Sequence, residues 1–325
     1  MVITEVILPI VFVVLLGFVF RRYGGRFEKA FSRTQLYILS PALLFSVMAG
    51  SKTGYALLLE VLLFVALVAA VLLAVTQGLG LAARSDRNER NAMSLAGVFP
   101  NAGFYGIPVC MLAFGEEGLK WASVYVAASA TIQSTLGVFL ASAGKRKISA
   151  GLLTVVRVPL IWAIVAGRVL ADVDLLPPEP FMEMIDLLGR SAIPLGLLLL
   201  GMQLQRITSG EAAAAEAEED EEIAEKHAGE EGAAPDSSRS LVLGISAALV
   251  KILGGLAAAL VILRFFDLPP VLRGVMLIEA SMPTAVNAVV YATEFDCRPR
   301  LVAIGILSST SISVVSVTLI LSYLV

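Results

Sequence analysis

The chain is short of the residues that build most enzymes and most small stapled domains. Of its 325 residues only two are cysteine, one is histidine and two are tryptophan, and charged residues make up 16%. Cys110 and Cys297 stand far apart with no metal-ligand spacing. The lone His227 sits in an acidic run. A structural disulfide and a metal site are therefore not expected, and neither is a cofactor. No His, Asp, Ser and Cys cluster falls inside an apolar segment, so an intramembrane enzyme is not expected either. The N-terminus has no basic leader or small-residue cleavage site, and its first apolar run reads as a retained helix.

What the chain does have is apolar length. It is 58% hydrophobic, with a mean hydropathy of +0.86. Apolar runs of about 20 residues recur, each long enough to cross roughly 30 Å of hydrocarbon. The expected fold is an all-α polytopic membrane protein with no separate soluble domain. Ten segments can be drawn: Val2 to Phe20, about Thr34 to Ala49, Tyr55 to Ala83, 92–115, about Leu119 to Ala143, about Val155 to Leu170, about Leu188 to Leu204, about Leu241 to Phe266, about Arg273 to Phe295, and about Leu301 to Val325. The proline-rich stretch Asp172 to Asp186 is expected along the surface. Five segments fill residues 1–147 and five fill 148–325. Five is odd, so the second set runs opposite to the first across the membrane.

The net charge of −3 conceals a split. Residues 211–239 hold eleven of the 27 acids and two of the 24 bases, which leaves a body of net +6. The stretch 206–239 reads as a disordered loop, because its composition cannot bury a core. Connections after the odd-numbered segments hold 17 Lys and Arg against six on the other side. The positive-inside rule then makes the odd connections and the acidic loop cytoplasmic and puts both termini outside a plasma membrane. A lipid bilayer is the expected surrounding and no nucleic acid the expected partner.

Two segments cannot stay helical. Phe99-Pro100-Asn101-Ala102-Gly103-Phe104-Tyr105-Gly106-Ile107-Pro108 packs two prolines and two glycines into the fourth segment, and Glu279-Ala280-Ser281-Met282-Pro283-Thr284-Ala285-Val286-Asn287 interrupts the ninth. Each proline removes an amide donor and clashes one turn back. Bare backbone at membrane depth is tolerated only where protein buries it or a cavity borders it. Paired interruptions at matching places in two halves point to a transporter binding site. Half-helix N-termini favour anions. Pro108 and Pro283 suit first turns, Asn101 and Asn287 add side-chain amides, and Gly103 and Gly106 permit close approach. The chemistry implied is carboxylate binding near the midplane. Pro41, Pro159 and Pro194 read as packing kinks.

Glu279 and Lys251 are charges inside apolar segments, and such groups are costly there and default to functional candidates. The pair reads either as a proton or ion coupler or as a fixed ion pair, with snorkelling of Lys251 the other plain alternative. Glu5 and Glu60 read as interfacial. Thr131, Gln133, Ser134, Ser309 and Thr310 read as helix-packing glue or as pocket residues. Trp121 and Tyr125 read as interface anchors.

The Asn-x-Gly-x-x-Gly-x-Pro run at 101–108 and the Met-Pro-x-x-x-Asn run at 282–287 resemble the two crossing motifs of the auxin efflux carrier family. Supporting matches are Pro41-Ala42-Leu43-Leu44-Phe45, Arg157-Val158-Pro159-Leu160 and 193–201. The resemblance spans nearly the whole chain. It implies ten helices in two inverted five-helix repeats, with the broken helices 4 and 9 crossing. It also implies a scaffold bundle beside a mobile bundle, elevator-like movement, and a homodimer through the scaffold. Plant members export auxin, and bacterial members are linked to malate, malonate and other organic acids. Asn101, Pro108, Pro283 and Asn287 would sit at the crossover. The connection after segment five is short here and the long loop follows segment seven, which suits a prokaryotic member. The expected function is secondary transport, as export, of a small organic anion, by uniport or proton coupling. The alternative is a membrane receptor that binds the anion without moving it, with the acidic loop as its output. Asn101→Ala and Asn287→Ala are expected to abolish transport and leave folding intact.

Overall fold

The structure is a computed structural model that describes residues 3–24, 27–51, 54–141, 159–209 and 237–324. Arg26, Lys52, the basic run 145–147, Arg157 and residues 210–236 of the acidic stretch, His227 included, lie outside the described residues. The described residues are helical and contain no strand.

A π-turn at Ile3–Ile7 leads into α1 (Leu8–Gly24). Helix α2 (Glu28–Thr34) continues through a π-turn, Gln35–Leu39, into α3 (Ser40–Ala49). Then come α4 (Tyr55–Ala82) and α5 (Arg87–Val98). After the first break a π-turn, Ala102–Gly106, opens α6 (Ile107–Ile132). A further π-turn, Gln133–Gly137, joins α6 to the short α7 (Val138–Ala141). Helices α8 (Pro159–Asp172), α9 (Glu179–Thr208), α10 (Ser237–Leu249) and α11 (Gly255–Ile262) follow. The second break separates α12 (Pro270–Ala280) from α13 (Asn287–Glu294), and α14 (Pro299–Leu324) completes the order.

Six stretches among the described residues are long and apolar enough to cross a membrane: Thr4–Gly24, Tyr55–Ala82, Ala102–Ala141, Glu179–Thr208, Ser238–Phe265 and Pro299–Leu324. The third is 40 residues long, about twice what one crossing needs. It bends at Gly115, whose φ of 64° and ψ of −146° suit only a residue without a Cβ.

Several boundaries differ from the sequence reading. Helix α5 begins at Arg87 rather than 92, because Asp86 caps it. The Asp86 side chain accepts from the Glu89 amide at 2.7 Å, while Glu89 Oε2 accepts from the Asp86 amide at 3.2 Å. Helix α9 begins at Glu179 rather than near Leu188, so the exposed stretch that the sequence places along the surface is helical over residues 179–186. Pro180 in the first turn loses no hydrogen bond there, and Glu179 complements the dipole. Pro194 is accommodated inside α9. Trp121 and Tyr125 are core residues, 2% and 1% exposed, and not interface anchors. Tyr125 meets Phe64 edge-on at 6.4 Å, and burying such large rings outweighs an interfacial position for them.

The helices pack as two groups. Helices α1, α2, α3, α8 and α9 pack mainly on one another. Helices α4, α5, α6 and α10 to α14 form the second group. At one end the groups are joined by Arg190 on Glu116, at 2.8 and 3.2 Å, and by Tyr55 donating to Asp172 at 2.5 Å. At the other end Glu28 is gripped by Arg21 and Arg206 within the first group. Within the second group Arg239 holds Glu89 and Arg298 holds Asp86.

Candidate functional site

The two breaks repair each other. Phe99 leaves α5 in an extended conformation (φ −89°, ψ 118°). Pro100 and Thr284 form an antiparallel bridge. The Asn101 amide donates to the Pro283 carbonyl at 2.7 Å, and the Ala285 amide donates to the Phe99 carbonyl at 2.8 Å. Neither proline has a donor to lose, so two segments that cannot be helical satisfy their orphan backbone on one another. Side chains pin the crossing. Thr284 Oγ1 donates to the Ala96 carbonyl at 2.5 Å, and Ser309 of α14 accepts from the Thr284 amide at 3.0 Å. Ser309 therefore braces the crossing from behind.

In front of the crossing lies a cavity of about 180 Å³. One wall comes from the first helix group, with Gln35, Ser40, Leu43, Ala192 and Gln203. The other comes from the crossing and α6, with Asn101, Gly103, Phe104, Ser129, Gln133 and Asn287. Among the described residues the lining has no Lys, Arg, His, Asp or Glu. Its polarity comes from hydroxyls and amides. Asn101, Gln35, Gln133 and Gln203 are each at least nine-tenths buried. Asn101 Nδ2, Gln35 Oε1, Gln133 Nε2 and Gln203 Oε1 make no hydrogen bond. Buried polar groups are ordinarily paired, and here four residues of one cavity lining each keep one unpaired amide atom.

Asn101 has two roles. Its Oδ1 accepts from the Phe104 amide at 3.3 Å and caps the turn that opens α6. Its Nδ2 is buried and makes no hydrogen bond. Asn287 lines the same cavity at the start of α13 and is exposed.

The other sequence-selected residues fall behind the crossing. Pro108 is buried in the first turn of α6, and Pro283 lends its carbonyl to Asn101. Gly106 faces Glu279, and a methyl group there would collide with the Glu279 carboxylate. Glu279 and Lys251 are fully buried and do not line the cavity. Lys251 does not snorkel. Its Nζ donates to the Ala280 carbonyl at 2.7 Å, at the negative end of α12. Glu279 Oε1 accepts a long contact from Cys110 Sγ at 3.8 Å, while Oε2 is unpaired. Ser134 and Thr310 do not line the cavity, and Thr131 bonds back to the Ala127 carbonyl.

The sequence reading names neither Gln35 nor Gln203, nor Ser129. The two glutamines carried a signal: each is an amide at the edge of an apolar run, which is costly at membrane depth unless it has work or a partner.

Residues 2–321 match the family model described as membrane transport protein. The chain is 25% identical to an uncharacterized transporter of Methanothermobacter thermautotrophicus, over 97% of this chain and 96% of the relative. It is 22% identical to an uncharacterized transporter of Methanocaldococcus jannaschii over the same shares. It is 25% identical to a Rhizobium meliloti protein named "Putative malonate transporter", over 62% of this chain and 67% of that protein. A family match across nearly its whole length, on helices able to cross a membrane, makes this chain a member of the membrane transport protein family, the auxin-efflux-carrier type that its two broken segments resemble.

Proposed function

We propose that the protein is a secondary transporter that exports small organic anions, either malonate- or malate-type dicarboxylates or auxin-like monocarboxylates. The observation that carries this reading is the cavity at the paired breaks, walled by both helix groups and lined by four buried amide side chains that each keep one unpaired atom. The carboxylate would take hydrogen bonds from Asn101 and Asn287, with the N-terminal ends of the turn at 102–106 and of α13 favouring its charge. Gly103 leaves room beside Asn101 for the guest.

The architecture behind this reading is ten crossings in two inverted repeats, 1–147 and 148–325. It is supported by two breaks in corresponding segments that meet antiparallel. Transport then follows if the second helix group carries the crossing past the first, which acts as scaffold. The Lys and Arg bias sets the odd connections in the cytoplasm and both termini outside. Glu279 and Lys251, buried together behind the crossing, are the candidates for coupling to a proton or ion. The Rhizobium relative's name favours a dicarboxylate among the possible cargoes.

Flux of radiolabelled malonate and indole-acetate into proteoliposomes, with and without a proton gradient, tests this. Saturable flux of either supports the transporter. Gradient dependence makes Glu279 the next residue to substitute. Saturable binding without flux would replace this reading with a receptor.

A further inference from the structure

A helix that stops inside a membrane leaves its last carbonyls to find donors where there is no water. Helix α12 stops in that way at Ala280. Ser281 Oγ donates to the Leu277 carbonyl at 2.8 Å, the Ser281 amide to the Ile278 carbonyl at 3.0 Å and the Met282 amide to the Glu279 carbonyl at 3.2 Å. The last carbonyl, that of Ala280, takes its donor from another helix: Lys251 Nζ, 29 positions earlier, at 2.7 Å. The chain is shaped to bring it there. Lys251 lies on a π-turn, Val250–Gly254, between α10 and α11. Gly255, just beyond, lies so close to the Ala280 carbonyl that a methyl group at 255 would collide with it.

The other broken helix ends differently. Near the end of α5 the Ala96 carbonyl accepts from Thr284 Oγ1 and the Phe99 carbonyl accepts from the Ala285 amide, both neutral donors. One helix end at the crossing is thus closed by uncharged groups and the other by a fully buried ammonium. An ammonium is costly at that depth, and a hydroxyl could have satisfied the same carbonyl. What the end of α12 offers is a cation's surroundings. It has the negative pole of a helix, a carbonyl beyond the last helical bond, and on the preceding residue the buried Glu279 carboxylate, whose Oε2 makes no hydrogen bond. In transporters with interrupted helices, half-helix C-terminal ends and unwound carbonyls coordinate the coupling cation. Here a lysine side chain stands in that place. We infer that the end of α12 is a seat for a small monovalent cation and that Lys251 fills it from within, as a tethered ion. Resting on the transporter reading above, this means that the crossing carries its own cation and that flux draws none from solution to hold it together. A second cavity of about 10 Å³, room for about one water molecule, borders Lys251. Pro100 and Ser129 wall both it and the larger cavity, which leaves a short way in for a soluble cation once the lysine side chain is gone.

The test is Lys251→Ala in the full-length chain, which empties the seat. Thermal unfolding midpoints are measured in detergent at one pH and ionic strength, with ammonium, sodium or choline as the cation. Choline has no N–H and is too bulky for the place of a lysine head group. Wild type should unfold at the same temperature in all three, and its flux of malonate or indole-acetate should be equal in sodium and in choline. Lys251→Ala should unfold several degrees lower in choline, because a buried carbonyl has lost its donor. Ammonium should raise that midpoint saturably and recover at least half of the loss. In Lys251→Met an uncharged chain fills the seat, and ammonium should change nothing. A saturable gain by wild type over choline, in midpoint with either ion or in flux with sodium, would overturn the inference. So would a folded Lys251→Ala indifferent to ammonium, or a Lys251→Met that responds to it. If Lys251→Ala does not fold in choline, its recovery from membranes solubilised in ammonium supports the seat, and failure there too overturns it. Absence of any flux would overturn the transporter reading and leave the midpoints to judge the seat.

Discussion

Asn101 joins fold and function in one side chain, so its replacement must cost both. Asn101→Ala removes the cap on the Phe104 amide, for about 0.5–2 kcal/mol of stability. It also removes the bare Nδ2 donor. A hydrogen bond to a charged group contributes about 1.5–3 kcal/mol, so affinity for a carboxylate should fall roughly ten- to a hundredfold. The backbone amide still reaches the Pro283 carbonyl at 2.7 Å, so the crossing itself should survive. The two losses can be separated. Asn101→Ser keeps an N-cap oxygen of nearly equal quality but cannot reach into the cavity with an N–H. It should therefore restore the thermal midpoint and leave the affinity weak. Thermal unfolding in detergent gives the first quantity, and half-saturation of flux in proteoliposomes gives the second. If Asn101→Ser transports with an unchanged half-saturation concentration, Asn101 is only a cap and the site assignment fails.

Gly106→Ala should destabilise by about 1–3 kcal/mol through overpacking against the Glu279 carboxylate, and Glu279→Ala in the same chain should recover most of it; a full-strength single variant in thermal unfolding would refute the contact. Cross-linking should arrest the relative movement of the two helix groups. In Glu116→Cys/Arg190→Cys, whose positions now form an ion pair between the groups, a bifunctional thiosulfonate cross-linker long enough to replace that pair should stop flux and reduction should restore it, while unchanged flux in the cross-linked protein would exclude movement at that end. Asp86 supplies an acid limit outside the membrane. Partial burial raises its carboxyl, but the Glu89 amide and the Arg298 guanidinium outweigh that and leave it below its ordinary value. A lowered folded-state value means stability that is complete above the unfolded value and lost as pH falls through the folded one. Asp86→Asn keeps the cap, so an acid-unfolding profile identical in shape to wild type would show that Asp86 contributes nothing there.

The membrane class was legible because it depends on composition. Apolar runs of bilayer length need no tertiary information to be recognised. The breaks were legible because Pro100, Pro108 and Pro283 act through their own backbone, whatever surrounds them. Boundaries were less so. Helix α9 starts at Glu179 because Pro180 is harmless in a first turn, and sequence alone weighs that proline as a breaker. Trp121 and Tyr125 misled for a related reason. An amphipathic ring suits an interface or a core equally, and only the neighbours, such as Phe64 beside Tyr125, decide.

By itself the sequence determined that the chain is helical and apolar enough to span a membrane, that two segments must break, and that Asn101 and Asn287 stand at the breaks. These follow from local chemistry: hydrophobic length, missing amide donors and side-chain type. Only the tertiary structure decided what the breaks meet. It paired Phe99 to Asn101 with Pro283 to Ala285, and it put Glu279 and Lys251 behind the crossing rather than in the cavity. It also brought Gln35 and Gln203, from two helices far apart in the chain, to the wall opposite Asn101. The pairing of the two breaks joins residues more than a hundred positions apart, and a one-dimensional pattern has no term for it.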